Sequence, residues 1–456
     1  MELFIEFLPL YMFLALAVLL FSGYPVAFVL GGIGLAFWLL AVALGIENDK
    51  SFLLVVSRIF GGVVENLVLV AIPMFIFMGT MLEKSGVARD LLHTLQCLTR
   101  RVPGGLALSV TLLGVIMAAT TGIIGASVVM ITLLALPVML DRQYDSRLAT
   151  GTIAASGTLG ILIPPSIMLV VMGELLATSV GTLFLAALMP GLFLAALYLI
   201  YIVTRAALAP ELAPPMSREE APESTGELLI LMAKSFLPPL ALILLVLGSI
   251  FAGVATPTEA SGIGAAGATL LALLAGKLTF ATLRDVVERS ALTGAMLFGI
   301  FVGATAFSFV FALLGGHDLI VHGVEAIGAG AWPVLILLMA VIFLLGFFFD
   351  WIEITLIVLP VFAPIIRLLD FGDHIANAEL IVPWFAVLVA VNLQTSFLTP
   401  PFGFALFYMK GVAPASVKIQ QIYKGIIPFV LLQLAGLAAI MAWPEIALWL
   451  PAKLAN

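Results

Sequence analysis

Charge is what this sequence lacks most. Only 10% of its 456 residues are Asp, Glu, Lys or Arg, while 63% are hydrophobic. A soluble domain carries about one quarter charged residues, so a water-exposed globule is excluded. Cysteine occurs once, as Cys97, which excludes an internal disulfide and any cysteine metal site. The four histidines (His93, His317, His322, His374) fall in polar connections, none at metal-ligand spacing on a helix. No GxxxxGK run followed by Ser or Thr occurs, so ATP has no binding motif. The net charge of −7 without a basic stripe argues against nucleic acid. Met1 is followed by Glu2 and Glu6, with no basic n-region and no small-residue cleavage site. The first apolar run is therefore expected to remain as a membrane helix.

What is present is apolar length. Runs fit for spanning a membrane cover 8–22, 24–45, 65–82, 105–140, 150–178 and 183–204, then 229–252, 257–275, 291–314, 333–366, 381–410 and 426–450. The fold class is an all-α polytopic membrane protein. Residues 206–227 are rich in Pro and Glu and have no apolar period, which reads as a linker. The polar stretches 83–104 and 277–290 carry charges at helical spacing beside Leu and Val. They read as helices lying in the membrane interface, or as arms bracing a moving part.

The two sides of the linker repeat each other. GGIG at 31–34 matches SGIG at 261–264, and ITLLALPV at 131–138 matches ITLIVLPV at 354–361 in six of eight positions. IFMG at 76–79 matches IFVG at 300–303, and Pro164-Pro165 matches Pro400-Pro401 at an offset of 236. Four matches in the same order, with slowly drifting offsets, indicate an internal repeat. The expected domains are 1–205, the linker 206–227 and 228–456, with hairpins at 105–140 and 333–366 and broken helices at 150–178 and 381–410.

Charge sets the orientation. If the first helix runs inward and both hairpins are re-entrant, fifteen of the nineteen Lys and Arg lie inside. Lys50, Arg58, Arg367 and Lys453 lie outside, which obeys the positive-inside bias. Both termini and the acidic second hairpin then face outward, the linker and the basic first hairpin inward. Two inverted repeats with interrupted helices are a transporter architecture, with the site near the midplane between the repeats.

A helix in hydrocarbon satisfies its own backbone, so GTLGILIPPSI (157–167) and QTSFLTPPFGF (394–404) ask why it is broken twice. The prolines lack N–H groups, and Gly157, Gly160 and Gly403 allow the chain to leave helical geometry. Freed carbonyls and nearby hydroxyls offer the oxygen ligands a hard cation such as Na⁺ takes. Each following half-helix opens with an N-terminus suited to an anion, and Ser166 is placed to cap one of them. A Pro-kinked helix without a ligand would carry the same residues; two symmetric breaks favour a site.

The hairpin tips should meet these breaks. The first turn is expected over ATTGIIGAS (119–127), where small and hydroxyl residues suit either a site or close helix packing. The second is expected over GFFFDWIEIT (346–355), where Asp350 and Glu353 are acids in an otherwise buried segment. A bound cation would pair them, or either acid sits in a hydrated turn. Gln394, Thr395 and Thr399 offer oxygens on the facing break. Glu259 reads as a loop-end acid at a helix start, and Glu174 as lying near an interface. Rival functions are a channel lined by the same breaks and, far behind, an intramembrane aspartyl hydrolase, which would need a second acid sharing a proton with Asp350.

ATTGIIGASVV, RLATGTIAASGTLGILIPPSI, GVATPTEA and VNLQTSFLTPPFGFALFYMKGVAP resemble the large membrane subunit of tripartite ATP-independent periplasmic (TRAP) transporters, from about residue 8 to the C-terminus. The resemblance implies a sodium-driven importer of organic acids in a bacterial or archaeal inner membrane, working by an elevator motion. It implies two partners besides membrane lipid: a small four-helix membrane subunit, expected here as a separate chain, and a periplasmic substrate-binding protein. By motif match, one sodium site would use Thr121, Gly122, Ser127, Gly157, Thr158 and Pro164. The pseudo-symmetric one would use Gly346, Asp350, Thr395, Thr399 and Pro400. Gly125, Ser166, Glu353, Gln394 and Gly403 would face the organic anion. Many relatives carry Ser-Gly-Ser-Ser at the first tip, where this chain has Thr121-Gly122-Ile123-Ile124, so backbone carbonyls would have to replace two hydroxyls. The second tip and break look like a subgroup for 2-oxo acids and other small monocarboxylates.

Overall fold

A computed structural model describes residues 2–48, 50–121, 124–215, 225–327, 330–400 and 403–454. The first half comprises α1 (Glu2–Glu6), α2 (Leu8–Leu20), α3 (Val26–Ala43), α4 (Ser51–Ile59), α5 (Ala71–Lys84) and α6 (Val87–Thr99). The hairpin α7 (Gly105–Thr121) and α8 (Ile124–Asp141), the broken pair α9 (Ser146–Thr158) and α10 (Ile167–Leu175), and α11 (Val180–Leu208) follow. The second half comprises α12 (Thr225–Leu231), α13 (Leu237–Phe251), α14 (Pro257–Leu274), α15 (Phe280–Leu313) and α16 (Gly316–Ile327). It ends with the hairpin α17 (Ala331–Leu345) and α18 (Trp351–Leu368), the broken pair α19 (Ile381–Ser396) and α20 (Phe404–Val412), then α21 (Ile419–Ala442) and α22 (Glu445–Leu454). Among the described residues, nine helices are long and apolar enough to cross a membrane.

Local chemistry sets many of the helix starts. Asp145 accepts the N–H groups of Arg147 and Leu148, both at 3.0 Å, and so opens α9. Thr256 and Glu259 form a reciprocal capping box at α14, the structural role expected of Glu259. Apolar side chains such as Phe28, Leu67 and Leu274 stay exposed around the bundle, as surfaces facing lipid do.

The halves interlock. α3 packs on α15 while α14, its repeat counterpart, packs on α5. A Cβ on Gly303 would lie 2.4 Å from the Ala27 carbonyl oxygen, so this scaffold crossing needs a residue without a side chain. The broken helices sit innermost. All sixteen residues of α19 are buried, as are eleven of the thirteen in α9, and helices apolar or small all round belong at a centre.

Three sequence expectations change. The stretch 277–290 is no separate helix, since α15 runs unbroken from Phe280 to Leu313. The linker is partly tied down: the Leu212 carbonyl accepts the Asp145 N–H at 2.9 Å, and Ala213 is buried. The second helix of each hairpin also starts earlier than expected. α8 already begins at Ile124 and α18 at Trp351, which puts Gly125, Ser127, Glu353 and Thr355 inside helices.

Candidate functional site

The first break spans Leu159–Ser166, a 3₁₀ turn followed by Pro164-Pro165 joined through a cis peptide. Each proline removes the N–H that a helix would offer four residues back, to Gly160 and Ile161. The Ser166 hydroxyl answers one of these losses by donating to the Ile161 carbonyl at 2.6 Å. The same oxygen caps α10, accepting the Leu169 N–H at 3.5 Å. Ser166 thus caps as expected, and its hydroxyl is committed on both counts.

The second break is also largely satisfied from within. Thr399 donates its hydroxyl to the Thr395 carbonyl at 2.8 Å and its N–H to the Ser396 carbonyl at 3.0 Å. Ala405 N–H reaches back to Phe397 at 3.3 Å. Gly403 turns the chain into α20 with φ +53°, a conformation open to glycine. Pro400 lies at this turn. The expectation of bare carbonyls needs correction: each of these oxygens already accepts a donor, and that of Thr395 also takes the Leu398 N–H at 3.2 Å. A carbonyl that accepts one donor keeps a second lone pair for a ligand.

Gly157 does not open its break. It lies within α9, and a Cβ there would come 2.6 Å from Val128 Cγ2. Its role is to let α8 approach, which brings the neighbouring Ser127, itself buried, beside the break. The second half does the same with the glycine on the hairpin. A Cβ on Gly346 would fall 1.9 Å from Ser396 Oγ, next to Thr395. Each hairpin also crosses to the other half. α8 packs on α20, with Gly125 under the Tyr408 ring, and α18 packs on α10, where Arg367 donates to the Leu176 carbonyl. Thr121 closes α7; Gly122 and Pro401 lie outside the described residues.

Asp350 and Glu353 form a capping box at the start of α18. Asp350 accepts the Trp351 N–H at 2.8 Å, and Glu353 Oε2 accepts the Asp350 N–H at 3.0 Å. Both carboxylates therefore have a structural task that their spacing (Asp, then Glu three residues on) could have announced. No ion pair to either occurs among the described residues, and no cluster of three metal-ligating side chains forms there.

The two breaks are joined directly. Gln394 Nε2 donates to Thr158 Oγ1 at 3.3 Å and to Tyr198 Oη at 3.4 Å. Gln433 Nε2 reaches the same phenol at 2.7 Å. All four side chains are fully buried, and Gln394 Oε1 and Gln433 Oε1 have no donor. A buried amide oxygen without a partner costs about 1–3 kcal/mol. The polar atoms that Thr158, Gln394 and Thr395 bring to the breaks include oxygens, the donors a hard monovalent cation takes and a soft metal does not. Tyr198 and Gln433 escaped the sequence reading because they stand in ordinary apolar spans, without a motif.

A cavity of about 270 Å³ separates α15 from α10 and α18. Arg58, from the last turn of α4, lines it with Thr305 and Ser308. Other buried helix hydroxyls, such as Ser290 and Thr132, donate to the carbonyl one turn back. The buried Ser308 Oγ makes no such bond, and Arg58 makes no ion pair among the described residues. Sequence placed Arg58 in a connection, where its exposed place at the mouth of a cavity was invisible.

The family model of the tripartite ATP-independent periplasmic transporter, DctM component, matches residues 13–446. The C4-dicarboxylate TRAP transporter large permease protein DctM of Pseudomonas aeruginosa is 30% identical over 85% of this chain and 87% of its own length. The sialic acid TRAP transporter large permease protein SiaM of Vibrio cholerae is 28% identical over 95% and 96%. The crystal structure of the Alcanivorax borkumensis YdaH transporter, described as having an unusual topology, superposes with a TM-score of 0.63 at 17% identity, covering 87% of this chain and 89% of that one.

Proposed function

We propose, given that this chain belongs to the tripartite ATP-independent periplasmic transporter family as its DctM component, that it is the translocating subunit of a sodium-coupled importer of small organic acid anions. Relatives named for C4-dicarboxylates and sialic acid both handle carboxylates, which supports an acid of that class or a 2-oxo acid. A small four-helix membrane subunit on a separate chain and a periplasmic binding protein complete the system. The termini face the periplasm, and the membrane is the inner one.

The observation that carries the reading is the Thr158–Gln394 bond. It ties the two interrupted helices together at positions 236 residues apart, the offset of the proline pairs themselves. The hairpins and broken helices then move as one carrier against the interlocked scaffold of α3, α5, α14 and α15. Sodium, when bound, supplies the positive charge that makes loading of the anion favourable. Thr158 and the Pro164 carbonyl would hold one ion near the hairpin contact at Gly157, and Thr395 and the Pro400 carbonyl a second near that at Gly346. Asp350 adds negative charge at the second tip. The organic anion meets Arg58, Thr305 and Ser308 between scaffold and carrier, where one guanidinium can take a carboxylate in two parallel hydrogen bonds.

Reconstitution tests this. The chain, with the small subunit and binding protein encoded beside it, should accumulate a radiolabelled organic acid in proteoliposomes only with an inward Na⁺ gradient and the binding protein. Uptake that survives K⁺ replacement and removal of the binding protein would make the chain a channel or uncoupled carrier. Arg58→Gln should raise KM for the acid at least tenfold, in line with a lost charge-assisted pair, with Arg58→Lys recovering part of it.

A further inference from the structure

A second polar cavity, of about 240 Å³, opens away from the breaks where α9, α11 and α21 converge. Arg147, Arg205 and Lys424 line it, over a floor that includes Leu148, Leu212 and Pro428. Asp145 is the one carboxylate in the lining, and its Oδ1 already accepts two backbone N–H groups. None of the three cations is ion-paired among the described residues. Close backbone packing sets where two of them begin. A Cβ on Gly425 would lie 2.2 Å from the Arg147 carbonyl oxygen, and one on Gly151 would lie 2.2 Å from the Gly425 carbonyl oxygen. Gln421 bonds Ser146 at 2.9 Å across the same crossing. The backbones that carry Lys424 and Arg147 are thus held at one place, with both side chains exposed at the cavity.

Three cations against the single carboxylate of Asp145 leave the recess with a net positive charge, which a bound anion would offset. We infer that this cavity is a binding site for a phosphate group, the headgroup of an anionic phospholipid being the source its position favours. It lies beside the last turn of α11, a helix long and apolar enough to span the bilayer. The Lys and Arg distribution assigns that end to the inner, anionic leaflet. The half-buried Tyr201 ring beside Arg205 gives the site an apolar shoulder for the start of an acyl chain. The spread of basic residues that merely orients a membrane protein needs no cavity and no convergence of three helices, and this site has both.

The test uses the full-length chain, delipidated in neutral detergent. Thermal unfolding and native mass spectrometry would be run with phosphatidylglycerol, phosphatidylcholine and inorganic phosphate. The wild type should retain about one phosphatidylglycerol per chain and melt higher with it, and phosphatidylcholine should do neither. Each of Arg147→Gln, Arg205→Gln and Lys424→Gln should weaken the apparent affinity about fivefold, as removal of one charge near an anionic surface does. Arg205→Lys should keep it, and Lys277→Gln, a cation that does not line the cavity, should change nothing. A melting shift with inorganic phosphate, lost in the same variants, supports the site with soluble phosphate as its source. An equal response to phosphatidylcholine, or no difference between wild type and the single variants, overturns the proposal. Single variants keep the test valid if the triple variant does not fold.

Discussion

Gln394 and Thr158 hydrogen-bond at 3.3 Å from opposite halves of the chain, and the interval between them is the interval between the two proline pairs. They occupy equivalent places in the two repeats, so the bond lies where the repeats exchange. A contact of this kind belongs to neither half alone. Thr158→Val removes the acceptor and leaves Gln394 Nε2 with only the long bond to Tyr198. It should cost about 1–3 kcal/mol, read as a lower melting temperature. Gln394→Leu with Thr158→Val should cost less than the two singly added, by about 1 kcal/mol in a double-mutant cycle. Strict additivity would show that the two breaks are not coupled here.

Gly151→Ala forces a methyl to 2.2 Å from the Gly425 carbonyl oxygen, with backbone on both sides. The α9–α21 contact must open, at a cost of about 1–3 kcal/mol or more. The melting temperature of the purified chain should fall accordingly. Gly262→Ala, in α14 with open space around it, should be neutral or slightly stabilising.

Asp350→Asn preserves an effective N-cap but removes the charge. The variant should fold with a wild-type melting temperature, while half-saturation for Na⁺ in uptake rises several-fold. Asp350→Ala should also lose about 1 kcal/mol through the lost cap. Unchanged Na⁺ dependence in the Asn variant would confine Asp350 to capping.

Gly346→Ala puts a methyl on Ser396 Oγ, 1.9 Å away at its ideal position. The second hairpin must withdraw from the break. Uptake should fall at least tenfold, the order of loss that small misplacements near a site produce. Gly323→Ala on α16, with nothing within contact range, provides the control.

Much of the architecture was legible in the chain. Hydropathy located the spans because lipid rewards apolar length irrespective of partners. The proline pairs located both breaks because a missing N–H is a covalent fact. The spacing of Thr256 with Glu259 could be read as a helix start, and that of Asp350 with Glu353 as well, had the acid at the tip not suggested a ligand. Gly157 misled for a related reason: a glycine beside a break looks like part of the break, and only its distance to Val128 shows that it serves packing.

What sequence determined by itself was local and one-dimensional: a membrane protein, a repeat, and two places where a helix cannot continue. The tertiary structure decided which atoms those places face. Tyr198 and Gln433 carry no motif, and an apolar span reads the same whether its rare polar residue meets lipid, a cavity or a partner. Burial changes their meaning, because a polar atom removed from water must find a partner across the fold or bear the cost of having none. That partner stands 196 residues away for Gln394 with Tyr198 and 235 for Tyr198 with Gln433, distances that only the folded chain closes.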